Sequence, residues 1–67
     1  MITIFELEGT DWQAECRPAS RDIIIWKGDA VKEIIQGETA YDRNEKAHEW
    51  FTNNVSEYRD FKMKRIQ

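Results

Sequence analysis

Few side chains in this sequence could carry chemistry, because it contains one histidine and one cysteine among 67 residues. His48 lies beside Glu49 and three residues after Glu45, and an imidazole near a carboxylate can act as a general base. On a helix, however, His48 falls outside the apolar stripe of its segment, as a solvated surface histidine does. Cys16 would need a base beside its sulfur to act as a nucleophile. Its place in an alternating apolar pattern predicts a core position instead.

Three carboxylates, Asp42, Glu45 and Glu49, would share one helical face. Paired acids hydrolyse glycosides where a cleft raises the pKa of one of them, and a single sheet with one helix offers little cleft. The chain has no glycine-rich phosphate loop, no Ser/His/Asp order and no HExxH helix. We therefore expect a protein that is not an enzyme, with no catalytic residue, no metal and no cofactor.

Composition limits the chain to one small domain covering residues 1–67. Hydrophobic residues make up 40% and charged residues 34%, with one proline and three glycines, which is too apolar for a disordered tail. A chain of this length buries only about 60% of the surface exposed when unfolded. The lone Cys16 can form neither an intramolecular disulfide nor a cysteine zinc site. Stability must come from apolar packing or from a partner.

The longest apolar run, residues 23–26, is far shorter than the roughly 20 residues that span a bilayer. Residues 1–8 lack the basic start and the long apolar stretch of a signal peptide. We therefore expect a cytoplasmic protein that makes no contact with membranes.

Alternating residues in the first part of the chain predict a hairpin. Residues 2–8 and 11–17 alternate, and Gly9-Thr10 suits a two-residue turn with glycine in its first central position. A turn at this place fixes the register, and the side chains opposite each other would share one buried face. The expected pairs are Leu7 with Trp12, Phe5 with Ala14, and Thr3 with Cys16.

The next segment, Asp22 to Lys27, is β-prone and apolar on both faces, which indicates an interior strand. Residues 29–36 allow two interpretations. A turn at Gly28-Asp29 would place Trp26 opposite Val31 in a second hairpin. Alternatively, Asp29 caps a short helix that ends at Gly37. The hairpin is favoured because an eight-residue helix is marginal on its own.

The spacing of apolar residues changes near residue 42 from that of a strand to that of a helix. Asp42 and Glu45 fit the N-cap residue and the glutamate three residues later that open a helix. Asn53-Asn54 could end the helix through a left-handed residue. Residues 59–66 either extend the helix or form a last strand, and their alternation favours the strand. The expected fold is α+β, a small antiparallel meander of about three to five strands packed on one main helix. The apolar stripe of that helix contains Ala47, Trp50, Phe51, Val55 and Tyr58.

Tryptophans suggest how the protein acts. Trp12 and Trp26 lie next to the predicted turns, and tryptophan is enriched at the energetic centres of interfaces. One helix cannot cover both faces of a sheet, so the second face should meet another protein or a second copy of the chain. We therefore expect a small binding or regulatory protein, a kind common among accessory proteins of bacteria and their phages. The partner would cover a face of the sheet or add a strand to its edge. The expected partner-binding residues are Trp12, Ile24 and Trp26.

The C-terminal segment offers an alternative function. Basic side chains there could contact phosphates while an aromatic residue stacks on a base, although the net charge of −3 argues against a general nucleic-acid binder. Lysines are equally typical of an edge strand, where they discourage unwanted pairing. A structural homo-oligomer is a third alternative. The candidate nucleic-acid-binding residues are Arg59, Lys62, Lys64 and Arg65.

Overall fold

The computed structural model describes residues 1–67 and confirms the α+β fold. Its five strands form one antiparallel sheet in the order β4-β3-β2-β1-β5, and a single α-helix, α1 (Ala40–Asn54), packs on one face. The chain therefore meanders through four strands, crosses the sheet as α1 and returns beside β1. The strands are β1 (Thr3–Leu7), β2 (Trp12–Arg17), β3 (Asp22–Lys27), β4 (Ala30–Gln36) and β5 (Met63–Arg65).

The first hairpin has the predicted register but a different turn. Thr3 pairs with Cys16 and Phe5 with Ala14, as expected. The Thr10 N–H donates to the Leu7 carbonyl at 3.0 Å, so the turn spans residues 7–10. Glycine occupies its second central position, with a φ of 81°, which is the requirement of a type II turn. The predicted turn at residues 8–11 was wrong, and the expected pair of Leu7 with Trp12 is not part of the ladder, but the register of the other two pairs is as predicted.

The second hairpin joins β3 to β4 and confirms the strand interpretation of residues 29–36. Trp26 pairs with Val31, and Gly28 in the turn has a φ of 62°. The register then shifts, because Ile25 pairs with residue 33 and leaves Lys32 as the extra residue of a β-bulge. Through this bulge Val31 and Ile34, three positions apart, lie on the same face of the sheet.

Helix α1 begins earlier than predicted. Its N-cap is Thr39, whose Oγ1 accepts from the Asp42 N–H at 3.0 Å, so Asp42 lies within the first turn. The helix ends at Asn54 as expected, although the next residue, Val55, is extended rather than left-handed. The Asn54 side chain instead donates to the Trp50 carbonyl at 2.8 Å. This bond satisfies one of the carbonyls that a helix end leaves free.

The core lies between α1 and the sheet. Phe51 lies at its centre, stacked on Tyr58 at 5.1 Å between ring centroids, and Trp12 approaches it edge-on at 6.1 Å. Val55 and Tyr58 follow the helix yet remain buried, since the chain turns between them and the Tyr58 ring stacks on Phe51. The buried hydrophobic residues are Leu7, Ala14, Ile23, Ile25, Ile35, Ala47, Phe51, Val55 and Tyr58.

The last segment forms a strand, as its alternation indicated, but a shorter one than expected. A 3₁₀ turn covers Asp60–Lys62, and Phe61 within it is exposed. Strand β5 then pairs with β1, Leu7 lying opposite Met63. No helix combines the length and the apolar character that crossing a membrane requires.

The observed N-cap makes a testable prediction. Thr39→Ala is expected to lower the free energy of unfolding by about 1 kcal/mol, because the Asp42 N–H loses its acceptor. Asp42→Ala removes only an exposed ion pair with Lys46, 3.2 Å away, and a favourable charge in the first turn. Its expected cost is about 0.5 kcal/mol. Urea denaturation followed by circular dichroism measures both, and a larger loss for Asp42→Ala would contradict the assigned cap.

Candidate functional site

The sheet face opposite α1 is the first candidate site, and we call it the open face. Side chains alternate along each strand, so the neighbours of the core residues point away from the helix. Paired positions align these neighbours in two rows across four strands. The first row contains Ile4, Glu15, Ile24 and Ile34, and the second contains Glu6, Gln13, Trp26 and Val31.

A carboxylate lies in the middle of the open face and is well satisfied. The Trp26 Nε1–H donates to Glu15 Oε1 at 3.0 Å, and Arg17 Nε donates to Glu15 Oε2 at 2.6 Å. The Glu15 side chain is only 12% exposed. Both oxygens therefore have charged or polar partners, and the indole N–H does not need water. The centre of this face can lose its solvent without leaving these groups unpaired.

Two exposed apolar residues of the open face lie on the edge strand β4. Val31 is 49% and Ile34 54% exposed, whereas Ile24 and Trp26 are half-buried. Neither Val31 nor Ile34 was predicted as a binding residue. Their position depends on the bulge at Lys32. Neither a turn residue nor the alternation of the sequence indicates this bulge.

The structure brings only two of the three predicted partner-binding residues together. Ile24 and Trp26 lie on the open face, in adjacent rows. Trp12 lies on the helix side, 5.8 Å from Trp50 between ring centroids, with the Lys27 ammonium 5.2 Å from its ring centroid. Trp12 therefore packs against the core and shares no surface with Trp26.

The four basic residues of the alternative site point in different directions. Arg59 folds back, its Nη1 donating to the Tyr58 carbonyl at 2.6 Å. Lys64 pairs with Glu6 on the open face, whereas Arg65 pairs with Phe5 on the helix side. Lys62 lies in the preceding 3₁₀ turn. They do not form one continuous basic surface.

His48 and Cys16 lie near the same cavity but do not form a reactive pair. The cavity, of about 240 Å³, lies between α1 and the sheet and is lined by both residues. His48 Nδ1 is 3.0 Å from the Tyr58 hydroxyl, which donates to Asp60 at 3.2 Å. Burial raises the pKa of the Cys16 thiol, so the reactive thiolate is disfavoured. His, Cys, Asp and Glu side chains form no cluster of three or more that could hold a metal ion.

Sequence reasoning also missed Arg43. This arginine is 9% exposed and lies four residues before Ala47 and eight before Phe51, on the core-facing side of α1. Extending the apolar stripe backwards by one turn would have placed a charged residue at a buried position.

Comparison of the chain with protein-family models, with curated proteins and with solved structures found no match. The fold and these surfaces are therefore the basis for inferring its function.

The hydrogen-bonded Tyr58 predicts how stability changes at high pH. Burial raises the pKa of Tyr58 to about 12, and the Asp60 carboxylate acts in the same direction. An unfolded chain releases this proton near a pKa of about 10. The stabilisation is therefore complete below about pH 10 and is lost as the pH rises towards 12.

Tyr58→Phe should remove this contribution to the loss of stability at alkaline pH. The free energy of unfolding, measured with urea at a series of increasing pH values, tests this. In a Tyr41→Phe background Tyr58 is the only phenol, and its ionisation can be followed by the ultraviolet absorbance of the phenolate. Ionisation at a pKa of about 10 would contradict the assigned environment.

Proposed function

We propose that this protein is a small non-enzymatic binding protein that docks on another protein through its open face. One observation carries the proposal: the only α-helix covers one side of the sheet, while Ile24, Trp26, Val31 and Ile34 form an apolar group on the other. Apolar groups of this kind are typical of protein interaction sites. The single free cysteine suits a reducing compartment such as the cytoplasm.

The hydrogen bonds of the open face support an apolar interface. A tryptophan removes a large area from water when it is covered, but a buried N–H without an acceptor would offset this gain. Trp26 already donates to Glu15, so a partner need not supply that acceptor. Each square ångström of apolar surface that is covered contributes about 25 cal/mol.

The edge of β4 favours contact through the face over addition of a strand. The β-bulge leaves Lys32 out of the regular pairing, next to Glu33. Bulges and charged residues on an edge strand discourage a new strand from pairing there. A partner is therefore expected to cover the side chains of the sheet rather than extend its hydrogen bonds.

Charge on the open face argues for a protein rather than a nucleic acid. Glu6, Glu15 and Asp22 point to this side and are opposed by Arg17 and Lys64. A phosphate backbone requires an excess of positive charge, which this face lacks.

Replacing an exposed apolar residue by lysine tests the site. Ile34→Lys is expected to lower partner capture about tenfold or more, because a charge must then be buried in the apolar contact. Tagged protein purified from the native cell, with quantitative mass spectrometry of retained proteins, measures the effect. Tyr41→Lys is the matched control, because Tyr41 is 75% exposed on α1, away from the open face. Equal losses in both variants would contradict the proposal.

Trp26→Ala should weaken the same association and leave the circular dichroism spectrum near native. The side chain is half-buried, so we expect a stability loss of about 1–2 kcal/mol, not unfolding. An unfolded Trp26→Ala monomer would show instead that this tryptophan belongs to the core. Sedimentation over a range of concentrations detects a second copy as the partner, and Ile34→Lys would then abolish self-association.

A further inference from the structure

A second surface lies on the helix side of the sheet, where α1 leaves part of β1, β2 and β5 uncovered. Two adjoining cavities, of about 290 and 240 Å³, lie between the helix and these strands. They share four lining residues, Phe5, Cys16, Ile23 and Asn44, and we call the joined cavities the groove. Phe5, Cys16 and Ile23, on its sheet side, are apolar.

One end of the groove contains a buried arginine whose charge has no acidic partner. Arg43 Nη1 donates to the Gly37 carbonyl at 2.9 Å, and no carboxylate lies within ion-pair distance of its guanidinium. No buried side-chain nitrogen lacks a hydrogen bond, so the other guanidinium nitrogens reach solvent. Arginine is rarely so buried without a counter-charge, because removing its charge from water is costly.

A second arginine lines the same cavity from the opposite wall. Arg65 belongs to β5 and pairs with Phe5 of β1. No carboxylate lines this end, even though the protein carries a net charge of −3. Asp60 and His48 line the other cavity instead. The groove therefore has a cationic end, an apolar middle and an acid at its far end.

We propose that the groove binds a carboxylate joined to an unbranched apolar tail, such as a medium-chain fatty acid. The carboxylate lies between Arg43 and Arg65, because guanidinium groups donate pairs of parallel hydrogen bonds to carboxylates. The tail runs over Phe5 and Ile23 towards Phe51, away from the charged end.

The dimensions and lining of the groove fit this ligand. Its helix wall extends from Ala40 to Phe51, about 16.5 Å at 1.5 Å per residue. An unbranched tail can lie along this wall, where covering its CH₂ groups favours binding through the hydrophobic effect. Asp60 at the far end would repel a second carboxylate, so the groove discriminates against diacids. This site lies on the opposite side of the sheet from the open face and does not depend on the proposed function.

Titration with decanoate below its micelle concentration tests the proposal. Isothermal calorimetry should give saturable binding to one site per chain. Cys16 provides a local readout, because its thiol lies where the two cavities join. Bound decanoate should therefore slow alkylation of Cys16 by iodoacetamide, with the same concentration dependence as the calorimetric signal. Decanol, which has no charge, should bind more weakly, and the matching diacid should also bind more weakly.

Adjacent residues of β5 supply the variant and its control. Arg65→Ala is expected to weaken decanoate binding about tenfold, since an exposed arginine loses its bonds to the carboxylate. Lys64→Ala removes the same charge on the opposite face of the sheet and should change the affinity less than about twofold. Both positions are exposed, so both variants are expected to fold.

Three results would overturn the proposal: no saturable binding, equal affinity in Arg65→Ala and the wild type, or binding that leaves Cys16 alkylation unchanged. None of them would bear on the open face, which Ile34→Lys tests separately. Conversely, loss of partner capture in Ile34→Lys should leave decanoate binding intact.

Discussion

The packing of α1 on one side of a five-stranded sheet is the constraint on which the rest of the structure depends. Phe51, 2% exposed, occupies the centre of this contact, with Tyr58 stacked on one side and Trp12 edge-on. A helix of 15 residues is too small to cover the whole sheet. It leaves the opposite side bare and a strip beside β1 and β5 partly uncovered. Both surfaces are therefore exposed for the same reason, which is that the single helix is too small to cover the sheet.

Two charged residues distinguish these surfaces. Glu15 lies on the open face and is fully occupied by Trp26 and Arg17. Arg43 lies on the core-facing side of α1 and has only a carbonyl as its partner. A satisfied carboxylate allows its surroundings to be covered by apolar groups at little cost, whereas a buried cation without a counter-charge is stabilised by an anion. The same small core thus supports one surface suited to apolar contact and another suited to a charged group.

Much of the fold could be predicted because strand periodicity and turn position act together. The register of the first hairpin followed from the alternation together with the position of the turn, and an error about which residues form the turn did not change it. The helix start was less determined, since Thr39 and Asp42 are both good caps and only their contacts distinguish them. Val31 and Ile34 were missed because a bulge depends on how the strand packs. Arg43 was missed although helical spacing was sufficient to find it.

The bulge at Lys32 also bears on how firmly β4 is held in register. Continuing the hairpin without it would set Ile34, rather than Ile35, opposite Ile23, and Gln36 would join the connection to α1. Since the two exchanged side chains are identical, the hydrophobic pattern barely separates the two alignments. A choice between them depends on the fit of neighbouring side chains. The alignment of this edge strand is therefore set by packing against its neighbours and not by the order of apolar and polar residues along it.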